Sequence, residues 1–293
     1  MNIERNFIII REKVHIISSI IIIFVEKKWM NMLNDVVSIA KEAGELIREG
    51  FGKNNKVEFK TNETNLVTEI DKAAEKLITD FIKKKYPSHG ILAEESGEMK
   101  SGTEYLWVVD PLDGTTNFAH RLPVFAVSIG LQKKGETIVG TVYDVINDIA
   151  YSAEKGSGAF ANDKKINVST NDILRRSVLA SGFPYNVSEN PYHLLERFSE
   201  MTKRARGVRR LGSAALDLCY TAKGVFDGYW EMELQPWDIC AGMLLVEEAG
   251  GLVSDFNSNP IDIYTKRILA TNWLIHKQMM EVLNDVRWNM VDV

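Results

Sequence analysis

Cysteine, proline and histidine are scarce in this chain and acids outnumber bases, and each of these facts narrows its chemistry. Two cysteines, Cys219 and Cys240, in 293 residues cannot make a disulfide framework or a Cys-rich zinc site. Both lie among helix-forming residues and read as reduced core thiols, which fits a cytoplasmic location. Seven prolines and no linker-like stretch predict one compact catalytic unit, with sub-halves at about 32–180 and 181–293. Five histidines, His15, His89, His120, His193 and His276, fall in no zinc-type motif and read as surface or packing residues. No G-x-G-x-x-G and no P-loop occurs, and there are no internal repeats. Lys+Arg is 35 against 40 Asp+Glu, a formal net charge of −5, so nucleic acid is not expected as a substrate. With 45% apolar and 26% charged residues, the composition is that of an ordinary globular protein.

Only one long apolar run is present. It extends from Ile16 to Val25, broken by Ser18 and Ser19, between Arg11, Glu12, Lys13 and His15 on one side and Glu26, Lys27 and Lys28 on the other. As a helix it would rise about 15 Å, half of a ~30 Å hydrocarbon core, so no membrane span is expected. A basic front suits a signal peptide, but Glu-Lys-Lys-Trp follows it in place of an Ala-x-Ala-like site. The segment reads first as a non-essential extension, then as a peripheral anchor, and last as a secretory leader. Residues 1–30 are expected to stand outside the fold, and deleting them to leave catalysis unaltered; Met30 and Met32 are alternative start sites.

From Leu33 the pattern turns helical. Leu33, Val36, Ala40, Ala43 and Ile47 recur at steps of three and four until Gly50 and Gly52. Thr68-Glu69-Ile70-Asp71 is a capping-box signature for a second helix, with Ala74, Leu77, Ile78 and Phe81 on its apolar face and Pro87 just past its end. Strands are predicted at Gly90–Ala93, Tyr105–Val109, Phe125–Leu131, Thr137–Tyr143 and Ile149–Ala153, as an antiparallel meander with turns at Lys134-Gly135-Glu136 and Gly156-Ser157-Gly158. After a strand at Ser177–Ser181, helices are predicted at Tyr192–Ala205, Ser213–Lys223 and Asp238–Ala249, and a last one from Asn272 to Val286. Strands at Phe226–Glu231, Leu252–Asp255 and Ile268–Ala270 are interleaved with them. Helix and sheet alternate without the regular βαβ repeat of a Rossmann fold.

The chemistry-bearing residues are acidic and follow apolar strands. Tyr105–Val109 leads into Asp110-Pro111-Leu112-Asp113-Gly114-Thr115-Thr116-Asn117-Phe118. Two carboxylates at the end of a buried strand need a counter-charge, because unpaired ions lose several kcal/mol on desolvation. A hard divalent cation such as Mg²⁺ takes carboxylate, carbonyl and water oxygens, and Gly114-Thr115-Thr116 offers amides and hydroxyls for a phosphate. The plainer reading is a polar turn with Thr115 capping a helix. A calcium loop of the EF-hand type fails, since the twelfth position from Asp110 is Arg121. The Asp-x-Asp-Gly-Thr of haloacid-dehalogenase-type phosphatases fits poorly, because here three residues and a proline separate the acids. Two further acidic elements are Glu94-Glu95-Ser96-Gly97, in isolation a solvated turn, and Pro236-Trp237-Asp238, in isolation a helix cap. The basic stretch Lys203-Arg204-Ala205-Arg206-Gly207-Val208-Arg209-Arg210 reads as a solvated helix end and turn, with Arg209 and Arg210 near enough to Ala214 to meet a second phosphate.

Trp107–Phe118 resembles the first signature of the inositol monophosphatase family, and Trp237-Asp238-Ile239-Cys240-Ala241-Gly242 through Glu248-Ala249-Gly250-Gly251 resembles the second. The resemblance runs from about Met32 to the C-terminus. It implies an α/β (α+β) fold of alternating α-β-α-β-α layers, a homodimer, and a Mg²⁺-dependent, lithium-sensitive phosphomonoesterase acting on inositol monophosphate or a similar sugar or polyol phosphate. Two or three Mg²⁺ per site are implied. Glu94 would ligate the first metal and, with Thr115, orient the attacking water. Asp110 would bridge two metals, the Leu112 carbonyl would complete the first, and Asp113 and Asp238 would hold the second. Gly114, Thr115 and Thr116 match the phosphate-binding turn, and Asp113, Ala214, Glu231 and Asp238 match positions on the substrate. Glu95 would act through ordered water, and Lys60 and Asp71 match a pair near the outer metal site. Fructose 1,6-bisphosphate, histidinol phosphate and NADP are alternative substrates, and a non-catalytic partner of RNA machinery is the alternative role. Thr116-Asn117-Phe118 suits the inositol branch better than the nucleotide 3′-phosphate branch.

Overall fold

The computed structural model describes residues 32–53, 57–59, 66–100 and 102–285. The N-terminal extension and Lys60 lie outside the described residues. Helix α1 (32–50) and helix α2 (Glu69–Lys85) pack on one face of an eight-stranded sheet. A short antiparallel pair, β1 (Val57–Phe59) and β2 (Leu66–Thr68), leads into α2. Thr68 caps that helix, and its backbone N–H donates to Asp71 Oδ2 at 2.9 Å, the capping box read from the sequence.

The large sheet contains β3 (Gly90–Ala93), β4 (Gly97–Met99), β5 (Tyr105–Asp113), β6 (Ala126–Lys133), β7 (Glu136–Asp144), β8 (Ile149–Glu154), β9 (Gly158–Ala161) and β10 (Lys164–Ile166), in the order β10-β9-β8-β7-β6-β5-β3-β4. From β5 to β8 it is the predicted antiparallel meander, which continues through β9 and β10; β3, expected within that meander, instead pairs with β5 in parallel. A five-stranded sheet follows: β11 (Val178–Ser181), β12 (Gly207–Arg209), β13 (Gly228–Met232), β14 (Leu252–Ser254) and β15 (Arg267–Thr271), in the order β12-β11-β13-β15-β14. The remaining helices are the short α3 (Thr115–Ala119), α4 (Leu194–Arg204), α5 (Ala214–Ala222), α6 (Pro236–Glu248) and α7 (His276–Leu283).

Three apolar clusters define five layers. Ala74 and Ile78 of α2 meet Trp107, Val127 and Val139 of the large sheet. On its other face, Val142 and Tyr151 meet α5 and α6, which also cover Ala180, Tyr229 and Ile268 of the small sheet. Leu194, Met201 and Met279 of α4 and α7 close the far side over Leu179, Trp230 and Leu269. The order is α-β-α-β-α, as the family resemblance implied. Close contact in the middle needs small residues. A Cβ on Gly140 of β7 would stand 2.9 Å from the Ala241 carbonyl oxygen, and one on Gly242 of α6 would stand 2.5 Å from Leu218 Cδ1. That is the close packing expected of Ala241-Gly242.

Some boundaries differ from the sequence reading. The last helix begins at His276, because Asn272 Oδ1 accepts the Ile275 N–H and Trp273 takes a left-handed φ of 73°. Of the basic stretch before Arg210, Lys203 and Arg204 do end helix α4, but Gly207–Arg209, read as part of the turn, is an edge strand paired with β11. Helix α6 starts two residues early, with Pro236 in its first turn, where proline's missing N–H costs nothing.

Candidate active site

The site begins with a flaw in β5. Asp110 faces Ser128 and Asp113 faces Ala126, so two residues of β5, Pro111 and Leu112, oppose one residue of β6. A proline cannot donate to a ladder and is tolerated at such a bulge. The bulge resets the strand so that Asp110, 2% exposed, and Asp113, 9% exposed, both end inside the protein. The chain then turns at Gly114, whose φ of +93° and 2.9 Å virtual Cβ contact with the Val124 carbonyl exclude a side chain. Thr115, Thr116 and Asn117 open α3.

Asp71 locks this turn from behind. Fully buried in the first turn of α2, it accepts from Thr68 through Oδ2, and its Oδ1 lies 2.9 Å from the Thr115 hydroxyl. The same hydroxyl is 3.0 Å from the Leu112 carbonyl, so its single proton serves one of two acceptors. Burial raises the Asp71 carboxyl above its ordinary range, against the pull of these bonds.

Three further segments meet β5. Glu94 follows β3, its N–H bonded to the Val109 carbonyl at 3.1 Å, and its side chain is in hydrogen-bond contact with Asp110. Asp238 sits in the first turn of α6, where its Oδ2 accepts the Gln235 N–H at 2.7 Å; it is a cap as well as a site residue. The N-terminus of α5 arrives beside Asp113, whose Oδ2 accepts from the Ser213 hydroxyl and from the Ala215 N–H at 2.9 Å. Asn117 fixes that approach, donating Nδ2 to the carbonyls of Val124 and Leu211, both at 2.8 Å.

The convergence shows in the electrostatics. Burial first, then repulsion from Glu94, Asp113 and Asp238, drives the Asp110 carboxyl well above the usual range. Burial pushes Asp113 up to about 6, less than it would without the Ser213 and Ala215 bonds. Asp238 is likewise raised by burial and then by Asp113 and Glu94, partly offset by its Gln235 bond. Each of Asp110, Asp113 and Asp238 therefore responds to other carboxylates. Among the described residues lining the cleft the one cation is Arg210, whose charge acts on Asp217 and Glu231. Buried like charges of this kind call for a counter-ion, and an all-oxygen donor set of carboxylates and the Leu112 carbonyl suits a hard divalent cation. Among the described residues no three His, Cys, Asp or Glu side chains form a ready-made ion-binding group, so a cation would have to draw these carboxylates together.

The cleft holds about 610 Å³. Of the residues singled out by sequence, Glu94, Asp113, Gly114, Thr116, Ala214, Glu231 and Asp238 line it. Asp110, Leu112, Thr115 and Asp71 are buried and support the wall from behind. Glu95 is half-buried, its N–H bonded to Glu75 Oε2 at 2.7 Å. Glu231 is pushed up to about 7 by burial, eased by the Tyr229 hydroxyl at 2.6 Å and by Arg210. Its carboxylate fills the space where a Cβ on Gly182 would lie. Arg210 reaches the cleft rim and Arg209 does not. Sequence reasoning missed Ser213, Glu75, Gly182 and Asp217. Ser213 alone carried a signal, as an N-cap serine after Gly212 at the start of a helical period.

The sequence profile of the inositol monophosphatase family matches residues 29–291. The chain is 43% identical over 256 residues to the Nus factor SuhB of Escherichia coli strain K12, covering 87% of this chain and 96% of that protein. It is 42% identical over 256 residues to the inositol-1-monophosphatase of a Synechocystis species, covering 87% and 88%. The crystal structure of the extragenic suppressor protein suhB from Bartonella henselae superposes with a TM-score of 0.83 at 39% identity, over 87% of this chain and 99% of that one. Among the described residues no helix is long and apolar enough to cross a membrane. The bulged strand, its Gly-Thr-Thr turn and the acidic cap of α6 all fall within the matched span, and the chain belongs to the inositol monophosphatase family.

Proposed function

We propose that this protein is a phosphomonoesterase that uses Mg²⁺ to hydrolyse inositol monophosphate or a similar sugar or polyol phosphate. The observation that carries the reading is the meeting of Glu94, Asp110, Asp113 and Asp238 from three separate stretches of chain, Glu94, Asp113 and Asp238 lining the cleft and Asp110 buried behind them. Two or three Mg²⁺ there would neutralise the phosphate and the departing alkoxide and make water acidic enough to attack near neutral pH. Glu94, Asp110, Asp113, Asp238 and the Leu112 carbonyl are the residues that would hold them.

The chain's own groups do the rest. The Gly114 and Thr115 amides, at the first turn of α3, lack intrahelical acceptors and can donate to phosphate oxygens. The Thr115 hydroxyl, by donating to Asp71 or Leu112, keeps lone pairs to accept a hydrogen bond from the attacking water. Glu94 faces the cleft and takes up the proton that this water releases. The Ser213 and Ala215 donors fix one oxygen of Asp113 and so its direction. Ala214 and Glu231 face the alcohol half, where Glu231 accepts from a hydroxyl. Glu95 would act through ordered water, and Asp71 acts through its contact with the Thr115 hydroxyl. Phosphoryl transfer by this route needs positioning and charge neutralisation and no covalent protein intermediate.

A phosphate-release screen over sugar, polyol and nucleotide phosphates, with Mg²⁺ and with chelator, tests this reading. Metal-dependent release from inositol monophosphate above the nucleotides is expected, and no release from any ester would end it. The relatives named Nus factor SuhB favour a second reading, a binding role on the same fold. Metal-dependent turnover separates the two, and the complete carboxylate set speaks for turnover.

A further inference from the structure

Among the described residues three buried side-chain atoms have no hydrogen-bond partner: Thr141 Oγ1, Tyr151 OH and Asp217 Oδ1. The first two are hydroxyls away from the cleft. Asp217 is a carboxylate, 1% exposed, and it lines the cleft. Native proteins pair nearly all buried polar groups, and a buried acceptor left unmade costs about 1–3 kcal/mol. Such an orphan, in a residue that lines a cavity, can take a partner that enters the cavity.

Its place in the helix says which part of a ligand it meets. Ser213, the N-cap of α5, and Ala214 and Asp217 within it fall at i, i+1 and i+4, on one side of the start of the helix, and all three line the cleft. Ser213 is tied to Asp113 at the acidic end. Asp217 lies one turn further along, beyond Ala214, within electrostatic range of Glu231 and Arg210. Burial raises the Asp217 carboxyl above its ordinary range; ionised it only accepts hydrogen bonds, and protonated it can also donate one. An alcohol hydroxyl both donates and accepts, so it satisfies the group in either form.

We propose that Asp217 is a positioning and specificity residue for the alcohol half of the substrate, accepting a hydrogen bond from one hydroxyl of a bound polyol. This rests on the phosphatase reading above. A site that buries such an acceptor rejects an analogue lacking the matching hydroxyl, because the acceptor is again left unpaired.

The test is a double-mutant cycle between protein and substrate. The kcat/KM of the wild-type protein is measured with Mg²⁺ on inositol 1-phosphate and on its single-deoxy analogues, then repeated for Asp217→Leu, which removes the acceptor. Asp217→Asn, which keeps the shape and a weaker acceptor, takes its place should the leucine variant fail to fold. Removing one particular hydroxyl should cost the wild type about tenfold, equal to about 1.4 kcal/mol. The same removal should cost Asp217→Leu less than twofold, and Asp217→Asn an intermediate factor. A merely structural role would lower all substrates together and leave these ratios alone. The inference is overturned if no deoxy analogue costs the wild type more than twofold, or if a variant keeps the wild-type ratio for every hydroxyl. A wild type that hydrolyses none of these phosphates defeats the phosphatase reading instead.

Discussion

Asp113→Asn should separate stability from function. In the folded chain the Asp113 carboxyl is raised from 3.8 to about 6, chiefly by burial. Ionised, it therefore favours the unfolded chain by about 3 kcal/mol, at 1.36 kcal/mol per pH unit. That figure already includes the bonds from Ser213 and Ala215, which an asparagine oxygen can still accept. For a raised carboxyl the stabilising contribution is complete below pH 3.8 and lost as pH rises through 6. In chelator at pH 7.5 the variant should thus be the more stable protein, melting roughly 6–10 °C higher. The gap should shrink as pH falls from 6 to 4. Mg²⁺ should raise the wild-type melting temperature, because it binds only the native state, and the variant should respond weakly and release no phosphate. Differential scanning fluorimetry over this pH range, in chelator and in Mg²⁺, reads all three effects. A variant no more stable than the wild type in chelator, or a gap independent of pH, refutes the claim that this carboxylate is held at a cost.

Three other outcomes follow from particular contacts. His276 is 4% exposed, lies between the Ser254 and Thr271 hydroxyls at 2.9 Å each, and burial lowers it from 6.5 to about 4. A lowered histidine contributes stability that is present above pH 6.5 and lost as pH falls to 4, about 3 kcal/mol in all. Urea midpoints of His276→Gln should accordingly fall less between pH 7 and pH 4.5 than those of the wild type; parallel curves would count against it. Gly182→Ala places a methyl on the Glu231 carboxylate and should reduce kcat/KM about tenfold; an unchanged value would remove Glu231 from the substrate wall. Gly140→Ala presses α6 off β7 at the Ala241 backbone and should destabilise by about 1–3 kcal/mol in chemical denaturation, a loss that a neutral substitution would disprove.

Local signals carried most of the fold. The Thr68–Asp71 capping box, the alternating strands of the meander and the small residues of α6 each act within a few positions of themselves, so a sequence shows them. Elements decided by distant partners were harder to see. β12 exists because β11 offers it an edge, and its three residues, within a basic stretch, read as a turn after a helix end. The start of α7 is set by the Asn272 side chain, which accepts the Ile275 N–H, and by one left-handed tryptophan.

The candidate site divides in the same way. Glu94, Asp113 and Asp238 carried motif signals, but their meeting depends on the β5 bulge and on the seating of α5 and α6. Asp217 carried none, since an aspartate in a helix that is otherwise mostly apolar looks like a solvent-facing residue. Its missing partner appears only when the neighbours are in place.

The central claim is that acids from three distant segments hold neighbouring ions in one site, coupled through Asp110. Isothermal titration of Mg²⁺ into the wild type, Glu94→Gln, Asp110→Asn and Asp238→Asn tests it most directly. Each substitution should weaken the same binding isotherm at least tenfold. Wild-type affinity in any one of the three would contradict it.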